Sequence, residues 1–258
     1  MATDSPTVSL LLIGTELLTG KIVDTNGAHA VKKLSALGAT TLEVRIVLDT
    51  TEVIAASINE LRAKSDYVIT SGGIGPTHDD LTMAAVAEAF GVPCVHRPSL
   101  QDHIDRVFGE DVVRHRVWSR MANVPDGCEL LHEEGMFWPV YRMENVFVLP
   151  GVPQIFVRQF DFIQENFRGR PKSLTVLYMR LGEGRIAEPL HAATRMFPDV
   201  DFGSYPVIDT PEFRTRITVE GREQTTFDEA VAWLEERFAG DIVRTERDAT
   251  TLALPESD

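Results

Sequence analysis

The fold is decided by the stretch Ser71-Gly72-Gly73-Ile74-Gly75-Pro76-Thr77-His78-Asp79-Asp80-Leu81-Thr82. It follows a short apolar run at residues 67–70 that is typical of a buried strand. It leads into a segment with helical spacing of apolar residues, which Gly91 ends. Strand, glycine-rich turn and helix N-terminus form a natural anion site, because glycine lets the backbone approach a ligand and unpaired amides face it. The stretch therefore predicts a phosphate-binding loop in an α/β fold.

A plain turn is the alternative, because a glycine pair often only reverses the chain and an aspartate before a helix often only caps it. The stretch is not a P-loop, since no Gly-Lys-Ser/Thr follows, and it lacks the spacing of the Gly-x-Gly-x-x-Gly dinucleotide fingerprint. It does combine its glycines with four hydroxyls, from Thr70, Ser71, Thr77 and Thr82, and with the carboxylates of Asp79 and Asp80. Carboxylates beside a bound anion predict that a cation lies between the charges.

Two strand–helix units precede this stretch. Residues 8–13 form a nearly continuous apolar run, and residues 42–48 alternate apolar and polar side chains. A segment with helical spacing follows each, so the order β-α-β-α-β-α predicts a parallel sheet with helices on both faces. Ligands of such sheets bind beyond the carboxyl ends of the strands, so the loops at Gly14–Glu16, Asp49 and Ser71–Asp80 should meet at one rim.

The later chain predicts strands at residues 128–131 and 146–149, with a hairpin-like loop at 133–139 between them. Residues 111–123 are polar and partly basic, and we interpret them as a solvated helix face, with a mobile flap over the rim as the alternative. The turn Pro150-Gly151-Val152-Pro153 is a second candidate helix start for anion binding, or only a rigid turn.

A linker near residues 169–172 separates two predicted domains, 1–170 and 171–258. The second has the order strand, helix, strand, helix, which predicts a small α+β unit. Residues from about Asp248 onward are expected to fray.

Composition narrows the class of protein. The 258 residues are 43% hydrophobic and carry a formal net charge of -14, without a basic cluster. Binding to nucleic acid or to an anionic membrane is therefore not expected. Cys94 and Cys128 are predicted to be small buried side chains rather than a disulfide framework. No signal peptide or membrane span is predicted, so we expect a cytoplasmic protein.

Several motifs resemble one known family. Residues 13–20 with Asp24-Thr25-Asn26 look like the opening motif of the competence/damage-inducible protein A (CinA) family, and residues 72–82 resemble its second motif. Residues 150–153 resemble its third motif, and residues 186–190 and 203–206 look like its small C-terminal region. The likeness covers roughly residues 7–238. The wider superfamily is the molybdopterin-binding fold of MoaB and MogA, and a similar domain forms the N-terminal half of eukaryotic FAD synthase.

The resemblance implies a three-layer α/β/α sandwich with a mostly parallel sheet, plus the small C-terminal α+β unit. It also implies one of two activities: metal-dependent hydrolysis of a nucleotide pyrophosphate such as ADP-ribose or FAD, or molybdopterin binding and adenylylation. In the superfamily an aspartate after the second strand and one in the Gly-Gly motif are functional, and these correspond to Asp49 and Asp80. Members are commonly dimers or trimers, so a homo-oligomer is expected.

The chain departs from the family pattern in three places. It ends before the C-terminal amidase domain that many CinA proteins carry. The loop Gly135–Pro139 stands where many members have Gly-Thr-Ala-Pro-Gly, so the pocket mouth should differ. Asp79-Asp80 stands where molybdopterin enzymes often have Arg-Asp, which disfavours binding of pterin phosphate and favours a metal.

The first hypothesis is accordingly a nucleotide pyrophosphatase that uses Mg²⁺, Mn²⁺ or Co²⁺. Asp80 and Asp49 are the predicted catalytic residues, and Asp79 and Asp80 the predicted metal ligands. His78 could act as acid or base, although a lone loop histidine is more often merely solvated. The predicted substrate-binding residues are Gly14, Glu16, Asn26, Thr70, Ser71, Gly72, Gly73, Gly75, Pro76, Thr77, Thr82, Pro150 and Gly151. A molybdopterin-binding protein without hydrolysis and a non-catalytic oligomeric scaffold are the alternatives.

Overall fold

A computed structural model describes residues 5–109, 111, 116–208 and 210–247. The chain divides into two compact units, residues 1–169 and 170–258, so the division lies one residue from the predicted boundary. In the described part of the chain, no helix is both long and apolar enough to cross a membrane. Arg114, His115 and the residues expected to fray from Asp248 onward lie outside the described ranges.

The first unit alternates strands and helices up to residue 108. Its strands are β1 (Thr7–Ile13), β2 (Thr40–Val47), β3 (Tyr67–Ser71), β4 (Cys94–His96), β5 (Asn123–Pro125), β6 (Glu129–Leu131), β7 (Val140–Met143) and β8 (Val146–Leu149). Its helices are α1 (Thr15–Leu18), α2 (Asn26–Ala36), α3 (Thr51–Lys64), α4 (Thr82–Phe90), α5 (Pro98–Phe108) and α6 (Pro153–Ile163). Short 3₁₀ turns cover Ser119–Ala122 and Gln164–Phe167.

The main sheet has the strand order β2-β1-β3-β8-β7-β6. Strands β2, β1, β3 and β8 are mutually parallel, whereas β7 and β6 join antiparallel at one edge. The short strands β4 and β5 pair as a separate antiparallel ribbon. The predicted α/β fold with a mostly parallel sheet is confirmed.

Each face of this sheet carries its own apolar core. Leu11 of β1 points into one core, with Ile58 of α3 and Val86 of α4. Its neighbour Leu10 points into the other, with Leu34 of α2 and residues of α6. Successive strand side chains point to opposite faces, so a continuous apolar run such as β1 is buried on both sides. The result is the predicted three-layer sandwich.

Strand β2 is an edge strand, and its apolar side chains are not covered. Leu42, Val44 and Ile46 are 47%, 44% and 39% exposed. On the opposite face of the strand, Arg45 donates to Glu43 and Glu60, both at 2.7 Å. The alternation of residues 42–48 therefore predicted the strand but not the environment of its apolar face.

The second unit is an antiparallel sheet with two helices. Its elements are β9 (Ser173–Met179), α7 (Glu183–Met196), β10 (Val200–Pro206), β11 (Thr215–Gly221), α8 (Gln224–Arg237) and β12 (Ile242–Arg247), and its strand order is β10-β11-β9-β12. The predicted order strand, helix, strand, helix omitted β10 and β12. Both are edge strands, where polar residues, glycine and proline are tolerated and the apolar pattern is weak.

Candidate functional site

A cleft of about 570 Å³ lies at the carboxyl ends of β1, β2, β3 and β8. That volume falls in the ordinary range for small-molecule sites. Its lining includes the predicted residues Glu16, Asn26, Asp49, Ser71, Gly72, Gly73, Gly75, Pro76, Asp79, Asp80, Pro150 and Gly151. The structure thus brings together the strand-end loops that the sequence predicted would meet.

The loops after β1 and β3 approach each other so closely that Gly72 has no room for a side chain. Its φ is +109°, and a Cβ there would lie 2.2 Å from the carbonyl oxygen of Ile13. Gly73 has φ +65°, and a Cβ there would lie 2.3 Å from Oγ1 of Thr82. A Cβ on Gly151 would be 3.3 Å from Cα of Gly72. Glycine is therefore required by conformation and by space where β1, β3 and β8 end.

Asn26 connects the ends of β3 and β8. The side chain is 7% exposed, and its Nδ2 donates to Oγ of Ser71 and to the carbonyl of Gly151, both at 2.9 Å. Ser71 in turn donates to the carbonyl of Pro150 at 3.2 Å. The turn at Pro150–Pro153 thus supplies acceptors to its neighbours. Oδ1 of Asn26 is buried, bonds none of the residues that the structure describes, and belongs to a side chain of the cleft lining.

The turn after β3 carries amides that are not used by the described residues. The amide of Gly72 donates to Leu149 at 3.1 Å, and the amide of Thr82 donates to Gly73 at 3.0 Å. The amides of residues 73–75 donate to no described residue. Successive unpaired amides around a residue with positive φ form a concave anion site. The prediction that the first helical amides of α4 would share this role is wrong for Thr82, whose amide is already bonded.

Asp49 and Asp80 each fix a loop by accepting two hydrogen bonds from one threonine. Oδ2 of Asp49 accepts from the amide and hydroxyl of Thr15, at 2.6 and 2.9 Å. Oδ2 of Asp80 accepts from the amide and hydroxyl of Thr77, at 2.7 and 2.6 Å. In both carboxylates Oδ1 bonds to no described residue. Each aspartate therefore fixes its loop with one oxygen and keeps the other for a ligand.

Gly75 makes room for this arrangement. A Cβ on Gly75 would lie 2.7 Å from Oδ2 of Asp80. Its φ is outside the positive range that Gly72 and Gly73 occupy. The missing side chain at Gly75 therefore leaves space for the Asp80 carboxylate.

Asp79 is a charged carboxylate at the edge of the cleft. The hydroxyl of Thr77, which lies 2.5 Å from Oδ1 of Asp79, holds the pKa of that carboxyl below its usual range. The hydroxyl carries one proton, so it can bond Asp79 or Asp80 but not both at once. The side chain of His78 is 94% exposed and is absent from the cleft lining, which fits a solvated histidine.

The charge of the cleft is one-sided. Five carboxylates line it, those of Glu16, Asp24, Asp49, Asp79 and Asp80, and none of the described lining residues is a lysine or an arginine. A neighbouring cavity of about 230 Å³ shares residues 73–75 and Asp80 with the cleft and contains Arg120. An anion entering the cleft itself meets amide donors but no positively charged side chain of the described residues.

Four predicted binding residues lie outside the cleft lining. Thr70 and Thr82 are fully buried, and Oγ1 of Thr82 donates to the carbonyl of Gly72 at 2.8 Å. Gly14 is buried, and its amide donates to the carbonyl of Val47 in β2. Thr77 faces the neighbouring cavity and bonds Asp80. Of these residues, Thr82 shapes the loop through a backbone carbonyl and Thr77 through a carboxylate, whereas Oγ1 of Thr70 is buried and bonds no described residue.

An aromatic group in the lining was not predicted as part of the site. Trp118, Phe137 and Trp138 line the cleft, and their ring centroids lie 6.1–6.4 Å apart. Trp118 belongs to the segment interpreted as a solvated helix face, yet it is only half-exposed. The departure of Gly135–Pro139 from the family loop was the available signal.

The two cysteines differ in their environments. Cys128 is buried as predicted, and burial raises the pKa of its thiol to about 11. The prediction of a buried Cys94 is wrong, because that thiol is exposed on the short ribbon strand β4.

Comparison with known proteins identifies the family. Residues 9–168 match the model described as "Probable molybdopterin binding domain", and residues 172–247 match "FAD synthase, middle domain". The crystal structure of the protein CinA from Thermoplasma acidophilum superposes with a TM-score of 0.57 at 25% identity, covering 64% of this chain and 99% of that one. The chain belongs to the family of this molybdopterin-binding domain model, and it is similar to CinA.

The relatives that match this chain differ in length. A protein of Archaeoglobus fulgidus is 30% identical over 88% of the chain and 96% of its own length. A "Probable FAD synthase" of Caenorhabditis elegans is 30% identical over 92% of the chain but only 51% of its own length. The chain therefore spans about half of the FAD synthase relative.

Proposed function

We propose that this protein hydrolyses the diphosphate of a nucleotide such as ADP-ribose or FAD, with a divalent metal as cofactor. Water adds its oxygen to one phosphorus, the bridging P–O bond breaks, and two phosphate monoesters leave. The resemblance of residues 172–247 to a FAD synthase domain supports a nucleotide-related substrate.

The charge of the cleft is the observation that carries this proposal. Three unpaired amides offer a phosphate site, while five carboxylates and no described lysine or arginine surround it. A diphosphate would be repelled by those carboxylates unless a cation lay between them. Molybdopterin carries a phosphate too, so the same argument requires a cation for it.

The carboxylates fit a hard divalent cation bound jointly by protein and substrate. Oδ1 of Asp80 and Oδ1 of Asp49 are both uncommitted, and oxygen ligands suit Mg²⁺ or Mn²⁺. No group of three described His, Cys, Asp or Glu residues is arranged to hold a metal alone. Mg²⁺ usually takes one or two carboxylates and completes its shell with substrate phosphate and water.

Each part of the site has one role in this scheme. Asp80, with Asp79 or Asp49, would hold the cation, and a bound cation would supply charge neutralisation of the diphosphate and a lowered pKa of water. The amides of residues 73–75 hold the phosphate oxygens and accommodate charge that grows on them in the transition state. Oδ1 of Asn26 accepts a hydrogen bond from a substrate hydroxyl.

The test is a substrate panel with a matched pair of variants. ADP-ribose, FAD, NAD and molybdopterin are each incubated with Mg²⁺, Mn²⁺, Co²⁺ or EDTA, and the products are separated by chromatography. We expect Asp80→Asn to lower kcat on the order of 100-fold or more, because it removes a ligand charge and keeps an acceptor for Thr77. Asp66→Asn is the control, since Asp66 bonds the amide and hydroxyl of Thr7 outside the cleft.

Unchanged turnover in a folded Asp80→Asn protein would contradict the metal assignment. Molybdopterin binding without hydrolysis is the second candidate, because the family model of residues 9–168 is described by that ligand. Tight binding of molybdopterin, with no cleavage of any dinucleotide under any metal, would favour it.

We also propose that the chain forms a homodimer through β2. In the described part of the chain one edge of β2 pairs with no strand, and β2 carries an exposed apolar row of Leu42, Val44 and Ile46. An antiparallel pair of β2 strands centred on Val44 would oppose Leu42 to Ile46 and Glu43 to Arg45 of the second copy, so the strand is complementary to itself. Light scattering should give a dimer mass for the protein and a monomer mass for Val44→Lys, and a monomeric wild type would contradict this. The cytoplasmic location stays a prediction.

A further inference from the structure

The aromatic group of Trp118, Phe137 and Trp138 is built rigidly. Trp138 is 4% exposed, and its Nε1 donates to the hydroxyl of the buried Tyr141 at 2.5 Å. The imidazole of His103 packs edge-on against Phe137 and Trp138, with ring centroids 5.9 and 5.5 Å away. A side chain fixed on several sides keeps its rings in place before any ligand arrives.

Phe137 is the exception within this rigid group, because it is 46% exposed. An exposed phenylalanine is ordinary on a protein surface, but in a cleft lining beside other aromatic rings it adds to a contiguous apolar surface that a ligand can cover. Met121 lines the same cleft and adds a further apolar surface. The group therefore offers an apolar, aromatic surface continuous with the cleft that holds the free amides.

Gln159 places a hydrogen-bond acceptor in the same part of the lining. It is 1% exposed, and its Nε2 donates to the carbonyls of Trp138 and Pro139, at 2.9 and 3.3 Å. Those two carbonyls fix the orientation of the amide, since only the nitrogen can donate to them. Oε1 of Gln159 is buried and accepts from no described residue. Buried acceptors usually have a partner, and an N–H group of a ligand in the cleft is one that would satisfy this oxygen.

We infer that this aromatic group and Gln159 form a subsite for a planar fused heteroaromatic ring that carries an N–H donor. The ring stacks on the exposed side chain of Phe137 and donates to Oε1 of Gln159. Aromatic stacking accepts any flat base, whereas the single acceptor selects a ring with an amine or imide N–H. The inference rests on the proposed function in one respect, namely that the ring belongs to the phosphate-bearing substrate.

The experiment measures binding with probes that have no diphosphate bond to break. AMP, FMN and ribose 5-phosphate are titrated into the full-length protein in Mg²⁺ by calorimetry and by quenching of tryptophan fluorescence. Two of the three tryptophans, Trp118 and Trp138, lie in the subsite. We expect at least one ring-bearing probe to bind about tenfold or more tighter than ribose 5-phosphate and to quench the fluorescence.

Phe137→Ala should remove most of that preference, a loss of about tenfold for the ring-bearing probe, and leave the affinity for ribose 5-phosphate unchanged. Phe137→Trp should keep the preference, because it keeps a flat face. The control is Ile208→Ala, which removes a side chain that is 93% exposed in the other unit.

Three outcomes would overturn the subsite. They are equal binding of AMP, FMN and ribose 5-phosphate, no binding of either ring-bearing probe at millimolar concentration, and equal loss of all probes in a folded Phe137→Ala protein. Selection of AMP alone or FMN alone would support the subsite and identify the ring. Hydrolysis with no preference for a ring would leave the proposed function intact, and a ring preference without hydrolysis would leave the subsite intact.

Discussion

The two ends of the cleft are built from different materials. At the glycine end, backbone amides form the anion site. Thr82 holds the loop in shape, and Asp80 does so with Oδ2 while its Oδ1 stays open to a ligand. At the aromatic end, side chains form the surface, and a carboxamide, a hydroxyl and an imidazole hold them in place. A backbone site fails when a side chain is added, whereas a side-chain site fails when one is removed.

The largest difference in stability is expected between substitutions at two glycines that both have positive φ. Gly72 and Gly20 have φ of +109° and +69°, but only at Gly72 would a Cβ strike another atom, the carbonyl of Ile13. We expect Gly72→Ala to destabilise the protein by about 3 kcal/mol or more, and Gly20→Ala by about 1 kcal/mol. Urea denaturation measures both, and equal losses would show that the close approach of the loops has no energetic weight.

Gly75→Val should separate function from stability at the glycine end. The added side chain meets the Asp80 carboxylate rather than rigid backbone, so that carboxylate has to move. We expect turnover to fall by roughly 30-fold, with a loss of stability of about 1 kcal/mol or less. Thermal melts and initial rates decide the point, and a large drop in melting temperature with normal turnover per folded molecule would indicate a purely structural glycine.

Tyr141→Phe tests the aromatic end by deleting one atom. The change removes the acceptor of the buried Trp138 Nε1 and leaves that N–H unpaired. We expect a cost of about 1–2 kcal/mol in the free energy of unfolding, with affinity for ribose 5-phosphate unchanged. Trp138→Phe in the same background should recover part of the loss, because the unpaired donor is then gone. Additive losses in that double variant would argue that the hydrogen bond is unimportant.

Acid should weaken the aromatic end by a smaller amount. Burial lowers the pKa of His103, with a contribution from Arg106 and opposed by a hydrogen bond to the backbone of Phe137. The unfolded chain therefore binds the proton more readily, so stability is complete above about pH 6.5 and is lost as the pH falls toward the folded pKa. We expect His103→Gln to reduce the pH dependence of the free energy of unfolding by less than about 1 kcal/mol, measured by urea denaturation between about pH 5 and about pH 7.

The sequence predicted the two ends unequally for a physical reason. Most of the glycine end comes from one contiguous stretch, residues 71–80. Glycine in that stretch indicates backbone with positive φ and a close approach between loops, so the sequence carried a signal for it. The aromatic end unites His103, Trp118, Phe137 and Gln159, which are distant in the chain. Their spacing resembles that of ordinary core and surface residues, so only folding reveals the group.

Roles within the loops were also hidden. Four predicted binding residues lie outside the cleft lining. Thr82 shows one reason, because its hydroxyl donates to the carbonyl of Gly72 and so serves the backbone instead of a ligand. The continuous apolar run of β1 correctly predicted a strand that is buried on both faces of the sheet. The alternating pattern of β2 predicted a strand but did not show that its apolar side chains would remain exposed.

The most direct test is a crystal structure with Mg²⁺ and an ADP-ribose analogue whose bridging oxygen is replaced by a methylene group. The diphosphate should accept hydrogen bonds of about 2.7–3.1 Å from the amides of residues 73–75, the cation should contact Asp80, and the adenine should lie on Phe137. Diphosphate bound instead beside Arg120 in the neighbouring cavity, with those amides still unpaired, would contradict the account.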